Sequence, residues 1–289
     1  RTVQLDLAAE KRNKICSWLA DLKEGQSVPE AAGNVDFRVT TQKGAIMMLR
    51  AAVAVAHARM RRYSARGQNA FVLGGDPLFH VTIDEANRLL ERGAPYRDEA
   101  TLLIKEIART GRSVGVGIRI AAQASHLEEL GGSDTLRGML KEGEVTLLRW
   151  SSSMMRQLVA DGLLPPEVRL VPIPKRLGVS TLTSQFDDDA DDEDAGEGTQ
   201  GMAYLLSSPH PTSLMRHFRV GSVKPLPGLD PQILNLYGPE PPTTLGPEDA
   251  AAAGEAYALR HDEEALAALF DAEQAQHTSK TDIPTADTA

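Results

Sequence analysis

Aromatic residues, cysteines and long apolar runs are scarce in this sequence, and each shortage excludes a class of protein. Aromatic residues make up 4% of the 289 positions and hydrophobic residues 42%, so aliphatic side chains must build the core. The single cysteine, Cys16, excludes an internal disulfide and a zinc cluster made of cysteines alone. No run of about 18 apolar residues occurs, so the sequence predicts no transmembrane helix. Together these features predict a cytoplasmic protein.

Charge is distributed unevenly along the chain, whose net charge is −9. Residues 1–185 carry 26 basic and 20 acidic side chains, whereas residues 186–200 carry eight acidic side chains and no basic ones. Residues 225–289 carry 12 acidic and two basic side chains. A mildly basic core is compatible with a polyanionic partner such as nucleic acid. Ordinary variation of the surface explains the same charge equally well.

Strand-like and helix-like segments alternate along the first half of the chain. Strands are predicted at residues 2–7, 79–84, 114–123 and 144–150. Helices are predicted at residues 40–67, 96–111, 133–143 and 152–162. Strands that alternate with helices of this length are typical of a parallel sheet with helices on its faces. The sequence therefore predicts an α/β fold.

Composition separates the rest of the chain into distinct segments. The acidic run at 186–200 self-repels and is predicted to be a disordered insertion, followed by two strands between 201 and 223. Residues 225–246 are rich in proline and predict an extended linker. Residues 247–289 predict an acidic tail with one or two helices, the first starting at a proline. The predicted organisation is a core over 1–224, then the linker and the tail.

Two adjacent carboxylates, Asp84 and Glu85, stand at the end of the apolar run 79–84. Ligands of a doubly wound parallel sheet bind beyond the carboxyl ends of its strands. A nucleotide hydrolase needs one carboxylate there to order Mg²⁺ on the phosphates and another to orient the attacking water. Asp84 and Glu85 match this Walker B pattern. Taken alone, such a pair is more often the N-terminus of a helix, where carboxylates stabilise the helix dipole.

Two further polar residues frame the next predicted strand. Arg112 precedes that strand and Gln123 ends it. Gln123 is placed to sense a γ-phosphate or its attacking water, and Arg112 is placed to supply a cation. Taken singly, Gln123 is equally typical of a loop and Arg112 of a helix C-terminus. The order of strand, carboxylate pair, helix, Arg112, strand and Gln123 favours a nucleotide site.

This order of motifs resembles the motor domain of the FtsK/SpoIIIE DNA translocases, which are RecA-like ATPases. The family follows its Walker B strand with a helix and the pattern Arg-x-x-Gly-Ile-His-Leu-x-x-Ala-Thr-Gln-Arg-Pro. From Arg112 this chain reads RSVGVGIRIAAQAS. Other similar stretches are RAAVAVAHARMRRYSARGQNAF, GEVTLLRWSSSMMRQLVADG and GMAYLL, so the resemblance covers about residues 36–224.

The chain also departs from the family pattern. Gly117 stands at the position of the family's His, Ala122 at that of its Thr, and Ala124-Ser125 at that of its Arg-Pro. The chromosome-segregation branch of the family usually keeps those residues. The departures therefore indicate a divergent branch, such as the translocases of plasmid transfer.

The resemblance implies a RecA-like sheet and an ATP-driven motor that moves along double-stranded DNA. ATP and Mg²⁺ are the implied cofactors, with Asp84 as the Mg²⁺ ligand and Glu85 polarising the attacking water. Gln123 would report the state of the γ-phosphate. Arg112 would act in the site of a neighbouring subunit, which requires a ring, and this family forms hexamers. The acidic tail is expected to regulate the motor or to bind a protein partner.

Two other functions are open to a chain with this resemblance. Relatives of the same type power protein secretion, where the cargo is a folded protein. A degenerate relative that hydrolyses no ATP would serve as an assembly scaffold. The number of ATPase modules in the whole protein and its ATP turnover would discriminate among the three.

The phosphate cradle of such ATPases is missing from the sequence, because no G-x-x-x-x-G-K-[ST] motif occurs. The family places this P-loop one helix before a strand that ends in Asp, and the strand predicted at 2–7, with Asp6, fits that strand. The chain starts at Arg1 without a methionine or a signal peptide. We therefore expect the P-loop, and any tether to the inner face of the cell membrane, to precede Arg1. On this expectation the isolated chain does not hydrolyse ATP.

Overall fold

The computed structural model describes residues 2–122, 131–148, 170–171, 173–174, 198–207, 210–222, 224 and 226–281. The chain divides into two compact units. The first contains the described residues of Arg1–Met139 and Val220–Ala289, and the second those of Leu140–Arg219. Within the described residues, no helix is both long enough and apolar enough to cross a bilayer.

A parallel sheet forms the centre of the first unit. Its strands are β1 Cys16–Asp21, β2 Phe37–Val39, β3 Phe79–Asp84 and β4 Val116–Ile120. They lie in the order β2-β1-β3-β4, and every neighbouring pair is parallel. β3 coincides with the strand predicted at 79–84, and β4 lies inside the one predicted at 114–123. The predicted α/β fold with a parallel sheet is therefore confirmed.

The described residues also form eight helices. In chain order the helices of the described residues are α1 Thr2–Arg12, α2 Gln42–Ala65, α3 Asn87–Leu90, α4 Arg97–Val114, α5 Asp134–Glu142, α6 Pro231–Tyr237, α7 Pro247–Ala258 and α8 Glu263–Thr281. The side chain of Thr41 caps α2 by accepting from the amide of Gly44 at 3.2 Å. α4 passes the predicted stop at Gly111 and ends at Gly115, whose φ of 68° is left-handed.

Residues 2–7 form the first half of α1, so the strand predicted there is wrong. The alternation of apolar and polar residues in TVQLDL suggested a strand. The positions buried in the folded chain include Gln4, Leu7, Ala8 and Lys11. This i, i+3, i+4, i+7 spacing is that of one face of a helix. The strand that ends in Asp is β1, at Asp21, and Asp6 lies on a helix.

The sheet is covered on both faces. Leu19 of β1 shares a buried cluster with Leu7 of α1 and Tyr237 of α6. Trp18 points to the opposite face, because successive side chains of a strand alternate, and its ring stacks on Tyr257 of α7 at 5.6 Å. The same indole makes edge contacts with two strand aromatics, Phe37 and Phe79. Four aromatic residues, Trp18, Phe37, Phe79 and Tyr257, thus form one layer beneath α7.

The segment 225–246, predicted to be an extended linker, contains helix α6 instead. Asp230 accepts a hydrogen bond from the amide of Gln232, and Pro231 occupies the first position of the helix. The hydroxyl of Tyr237 at the end of α6 donates to the side chain of Gln4 in α1 at 2.6 Å. The prediction differs from the structure because a proline after a capping Asp starts a helix as readily as it extends a coil.

The tail is helical, as predicted, but it packs along α2 and belongs to the same compact unit as the sheet. Asp249 of α7 pairs with Arg59 of α2 at 2.7 Å, and neither side chain has exposed surface. Asp271 of α8 pairs with Lys43 of α2 at 2.8 Å. The acidic residues of the tail are therefore not all solvated, because some of them pair with basic residues of α2.

The second unit contains a small antiparallel sheet. Its strands are β5 Glu144–Leu148, β6 Met202–Ser207 and β7 His210–Arg216, in the order β5-β6-β7. β5 and β6 agree with the strands predicted at 144–150 and 201–208, whereas β7 begins three residues before the strand predicted at 213–223 and ends at Arg216. The helix predicted at 152–162 and the acidic residues 186–197 lie outside the described residues.

Candidate functional site

The candidate site lies at the carboxyl edge of the first sheet, where β1 and β3 end side by side. Asp21, the last residue of β1, is the register partner of Asp84, the last residue of β3. Glu85 follows directly. Asp84 and Glu85 are partly buried, and Asp21 is fully buried. Three carboxylates therefore meet at the edge where parallel sheets bind their ligands.

The end of β4 extends this edge on the far side of β3. The amide of Ala121 donates to the carbonyl of Ile83 at 2.9 Å, and the amide of Ala86 donates to the carbonyl of Ala121 at 2.9 Å. The chain that leaves β4 therefore runs directly beside the Asp84-Glu85 pair. Gln123, the predicted γ-phosphate sensor, follows two residues later and lies outside the described residues.

Glu85 has a left-handed backbone, with a φ of 54°. This conformation is uncommon for a residue other than glycine and costs roughly 1 kcal/mol or more. Residues in such conformations concentrate at functional sites, where the surrounding structure enforces them. The N-cap of the four-residue helix α3 is Ala86, with no side-chain capping bond. Lys14 and Glu24 share this conformation, so the backbone alone assigns no role to Glu85, but the cap of α3 is Ala86 and not Glu85.

The pKa of Asp84 is raised, chiefly because burial removes its carboxylate from water. The negative charges of Asp21 and Glu85 raise this pKa further, whereas hydrogen bonds, first that of Ser27, lower it. A bound cation would relieve the repulsion among the three carboxylates.

A magnesium–nucleotide complex fits this donor set better than a metal held by protein alone. Nowhere in the part of the chain that the structure describes do three or more His, Cys, Asp or Glu side chains form a group able to hold a metal ion. Mg²⁺ in nucleotide sites takes one or two carboxylates and completes its shell with water and phosphate oxygens. Asp84, with Glu85 beside it, would be the residue of such a partial shell.

Asp21 is the site residue that sequence reasoning missed. Its strand lies in the poorly periodic segment 8–40, while the strand ending in Asp is predicted at 2–7. A signal was present, because CSWLAD, like FHVTID, is a largely apolar run of six residues that ends in Asp. The turn sequence LKEG that follows CSWLAD supports the end of a strand at Asp21.

Arg112 lies at the opposite edge of the sheet from Asp84. It is an exposed residue in the last turn of α4, just before β4 begins. Five residues of β4 separate it from the carboxyl edge, a span of about 16 Å at roughly 3.3 Å per residue. One chain therefore does not bring Arg112 and Asp84 together. Its action in the site of a neighbouring subunit stays a prediction.

Comparison with known proteins gives matches at the level of structure. No protein-family model and no curated protein matches the sequence. Among solved structures, the chain is similar to the pCW3 conjugation coupling protein TcpA in its monomer form with ATPγS, with a TM-score of 0.51 and 14% identity. The match covers 73% of this chain and 54% of TcpA, so the chain spans about half of that structure.

Two further structures have lower TM-scores. The cytoplasmic domain of the Type VII secretion ATPase EccC from Thermomonospora curvata gives a TM-score of 0.46 and 18% identity, covering 81% of this chain and 26% of that one. ATPases 2 and 3 of EssC from Geobacillus thermodenitrificans give a TM-score of 0.44 and 15% identity, covering 61% of this chain and 33% of that one.

At 14% identity, the likeness to TcpA concerns the fold. The parallel sheet and the carboxylates at its carboxyl edge agree with the architecture that the sequence motifs predict. The chain therefore shares with that structure an α/β fold built on a parallel sheet flanked by helices.

Proposed function

We propose that this chain is the Walker B and sensor part of an ATP-driven motor that moves double-stranded DNA in plasmid transfer. The observation that carries the proposal is the Asp84-Glu85 pair at the carboxyl end of β3, with Glu85 in a left-handed conformation. The likeness to TcpA, described as a conjugation coupling protein, favours DNA as the cargo over a secreted protein.

The two carboxylates have different roles in this proposal. When bound, ATP supplies the γ-phosphate that is transferred to water, and Mg²⁺ neutralises charge on the phosphates. Asp84, at the rigid end of a buried strand, holds the ion with its carboxylate. Glu85 orients the attacking water and accepts its proton. The 289 residues contain no G-x-x-x-x-G-K-[ST], so the proposal assigns to them only the magnesium and water half of the site.

Arg112 acts on a neighbouring copy in this proposal. Its side chain is exposed at the amino edge of the sheet, too far from Asp84 to act within one chain. A cation supplied by a second subunit stabilises the charge that develops in phosphoryl transfer. The proposal therefore includes a ring of copies around DNA. Contacts of such a ring would be mainly to the phosphate backbone, so its affinity for DNA should fall as salt rises.

ATP turnover by the full-length protein, with and without double-stranded DNA, tests the proposal. We expect DNA to stimulate turnover and Glu85→Gln to lower it about a hundredfold or more, because general bases contribute roughly 10²–10⁴. Glu264→Gln is the matched control. It makes the same chemical change at an exposed position of α8 and should leave turnover unchanged.

Each alternative function has its own outcome in this assay. Turnover that does not respond to DNA would favour the ATPase of a protein secretion system. An intact protein without turnover would refute the enzyme proposal and favour the scaffold. Equal losses in Glu85→Gln and Glu264→Gln would refute the role of Glu85.

A further inference from the structure

Helix α7 is anchored to the sheet by buried polar contacts as well as by its aromatic layer. Besides the buried pair of Arg59 and Asp249, the hydroxyl of Tyr257 donates to the carboxylate of Asp36 at 2.7 Å. Two residues beyond the end of α7, the guanidinium of Arg260 donates to the same carboxylate at 3.2 Å. Because Asp36 is buried, water competes little for these bonds. The chain is therefore fixed to the sheet as far as Arg260.

Helix α8, here called the strap, follows that anchor after two exposed residues, His261 and Asp262. Among the strap side chains that the structure describes, the buried apolar ones are Leu266 and Phe270. The ring of Phe270 makes an edge contact with the ring of Tyr96, at 4.9 Å between centroids. This is a small apolar contact for a helix of 19 residues. Segments with few buried apolar contacts open locally while the rest of a protein stays folded.

The ion pairs of the strap are partly exposed. Asp271 pairs with Lys43 at 2.8 Å, and Glu273 pairs with Arg50 at 2.5 Å. The four side chains are between 24% and 60% exposed. Pairs of this kind are weak and are screened by salt, whereas buried pairs are screened much less. Added salt should therefore weaken the attachment of the strap before it weakens that of α7.

Glu263, the first residue of the strap, holds the start of α2. Its carboxylate accepts hydrogen bonds from the amides and hydroxyls of Thr40 and Thr41 at 2.7–2.9 Å. These threonines directly follow β2, which ends at Val39 and runs parallel to β1. Because parallel strands end at the same edge of a sheet, they lie at the carboxyl edge that also carries Asp84. The strap therefore reaches the edge that contains the candidate site.

The start of α2 is in turn joined to the chain that follows the carboxylate pair. Nε2 of Gln42, the first residue of α2, donates to the carbonyl of Arg88 in α3 at 2.9 Å. The amide of Arg88 donates to the carbonyl of Glu85 at 2.9 Å. Two hydrogen bonds thus connect the first turn of α2 to Glu85. A strap that holds the start of α2 therefore also restricts the backbone at Glu85.

We propose that the strap is a hinged regulatory element, which opens at residues 261–262 and, when closed, orders the carboxyl edge for nucleotide. This regulation rests on the proposed function, because that function assigns nucleotide to this edge. A closed strap orders the start of α2 before nucleotide arrives, so the closed form binds nucleotide more tightly. Coupling between two sites is reciprocal, so bound nucleotide stabilises the closed strap by the same factor.

Hydrogen exchange of the full-length protein, followed in peptides of α7, the strap and β3, tests this proposal. Raising NaCl from about 0.05 M to about 0.5 M should speed exchange of the strap about tenfold, because each of its two exposed ion pairs contributes at most about fivefold. Exchange of α7 should not change. Saturating ATPγS with Mg²⁺ should slow exchange of the strap about fivefold or more, the lower end of typical coupling between sites.

Two matched variants test the contact at the start of α2. Glu263→Ala removes the carboxylate that accepts from Thr40 and Thr41. It should speed exchange of the strap and weaken binding of ATPγS about fivefold or more, with exchange of β3 unchanged. Glu264→Ala is the control, because it removes the same charge from the same first turn of the strap at an exposed position. It should change neither quantity.

Different results would overturn different parts of this inference. Exchange of the strap and α7 at one common rate at every salt concentration would refute the hinge. Binding of ATPγS that leaves exchange of the strap unchanged would refute the coupling, and equal effects of Glu263→Ala and Glu264→Ala would refute the role of Glu263. A wild-type protein that binds no ATPγS would refute the proposed function together with the coupling. Normal turnover in Glu85→Gln would count against the proposed function alone.

Discussion

Replacing Asp249 by asparagine removes one partner of the buried ion pair that joins α7 to α2. Nη2 of Arg59 lies 2.7 Å from Oδ2 of Asp249, and both side chains are 0% exposed. Oδ1 of the same carboxylate pairs with Arg62 at 2.9 Å. In the variant, the buried guanidinium keeps three backbone acceptors, the carbonyls of Val114, Gly115 and Pro77.

The contacts that remain in the variant determine the expected loss of stability. Breaking a buried pair by removing one partner costs about 3–5 kcal/mol, because an uncompensated charge stays inside the protein. Three carbonyls still accept from Arg59, and Arg62 keeps Asp76 at 2.6 Å. Asparagine has nearly the volume of aspartate, so no cavity adds to the cost. We therefore expect Asp249→Asn to lower the free energy of unfolding by about 3 kcal/mol.

Urea unfolding followed by the fluorescence of Trp18 measures this loss, because its ring stacks on Tyr257 of α7 at 5.6 Å. The sequence has two tryptophans, so a Trp150→Phe background isolates the signal. Asp271→Asn is the control. It breaks the Lys43–Asp271 pair, whose side chains are 36% and 60% exposed, and should lower the free energy of unfolding much less than Asp249→Asn, because water screens exposed pairs. Equal losses in the two variants would refute the reasoning that buried charge anchors α7.

Two smaller predictions concern the start of α2 and the loop over residues 22–28 that follows β1. Glu263 accepts hydrogen bonds from the amides and hydroxyls of Thr40 and Thr41 at 2.7–2.9 Å, so Glu263→Gln should cost about 1 kcal/mol at pH 7. Burial raises the pKa of Glu263, but those hydrogen bonds outweigh it and leave the pKa lowered. The stabilisation by Glu263 is therefore fully present above its unfolded-state pKa of about 4.3 and is lost at lower pH. At low pH, urea titrations of the wild-type protein and of Glu263→Gln should give the same free energy of unfolding. Gly25→Ala should cost about 1–3 kcal/mol in the same assay, through its φ of 77° and the 2.3 Å approach. Gly33 has a φ of 73° and open space around it, so Gly33→Ala measures the cost of the left-handed backbone alone. A loss of stability as large as that of Gly25→Ala would exclude the contact with Arg38 as a cause.

The elements that carry the site motifs could be predicted from sequence because each has a strong local signal. FHVTID ends in Asp84, Glu85 follows directly, and the structure ends β3 at Asp84. α2 has a capping Thr41 and a long helical period, and it begins at the next residue. Where one period dominates, the type of element is predicted correctly, although a glycine does not always mark its end, as α4 continues past Gly111.

The elements that escaped prediction lack such a signal. Every residue of β1 is buried and β2 has only three residues, and a strand buried on both faces shows no alternation. The same limit explains why Asp21 was not assigned to the site. It reaches Asp84 only through the parallel pairing of β1 with β3, and no local pattern encodes a contact between such distant parts of the chain.

The uneven charge of the sequence has a different meaning in the folded chain. Acidic residues of the tail pair with basic residues of α2, as Asp249 does with Arg59 and Asp271 with Lys43. The excess positive charge of residues 1–185 is therefore partly neutralised within one compact unit, and net charge does not identify a surface for DNA. Under the proposed function, the cations that contact DNA are to be sought among exposed residues outside the contact between α2 and the tail. Arg112, exposed at the amino edge of the sheet, is assigned to nucleotide in a neighbouring copy, so it is not one of them.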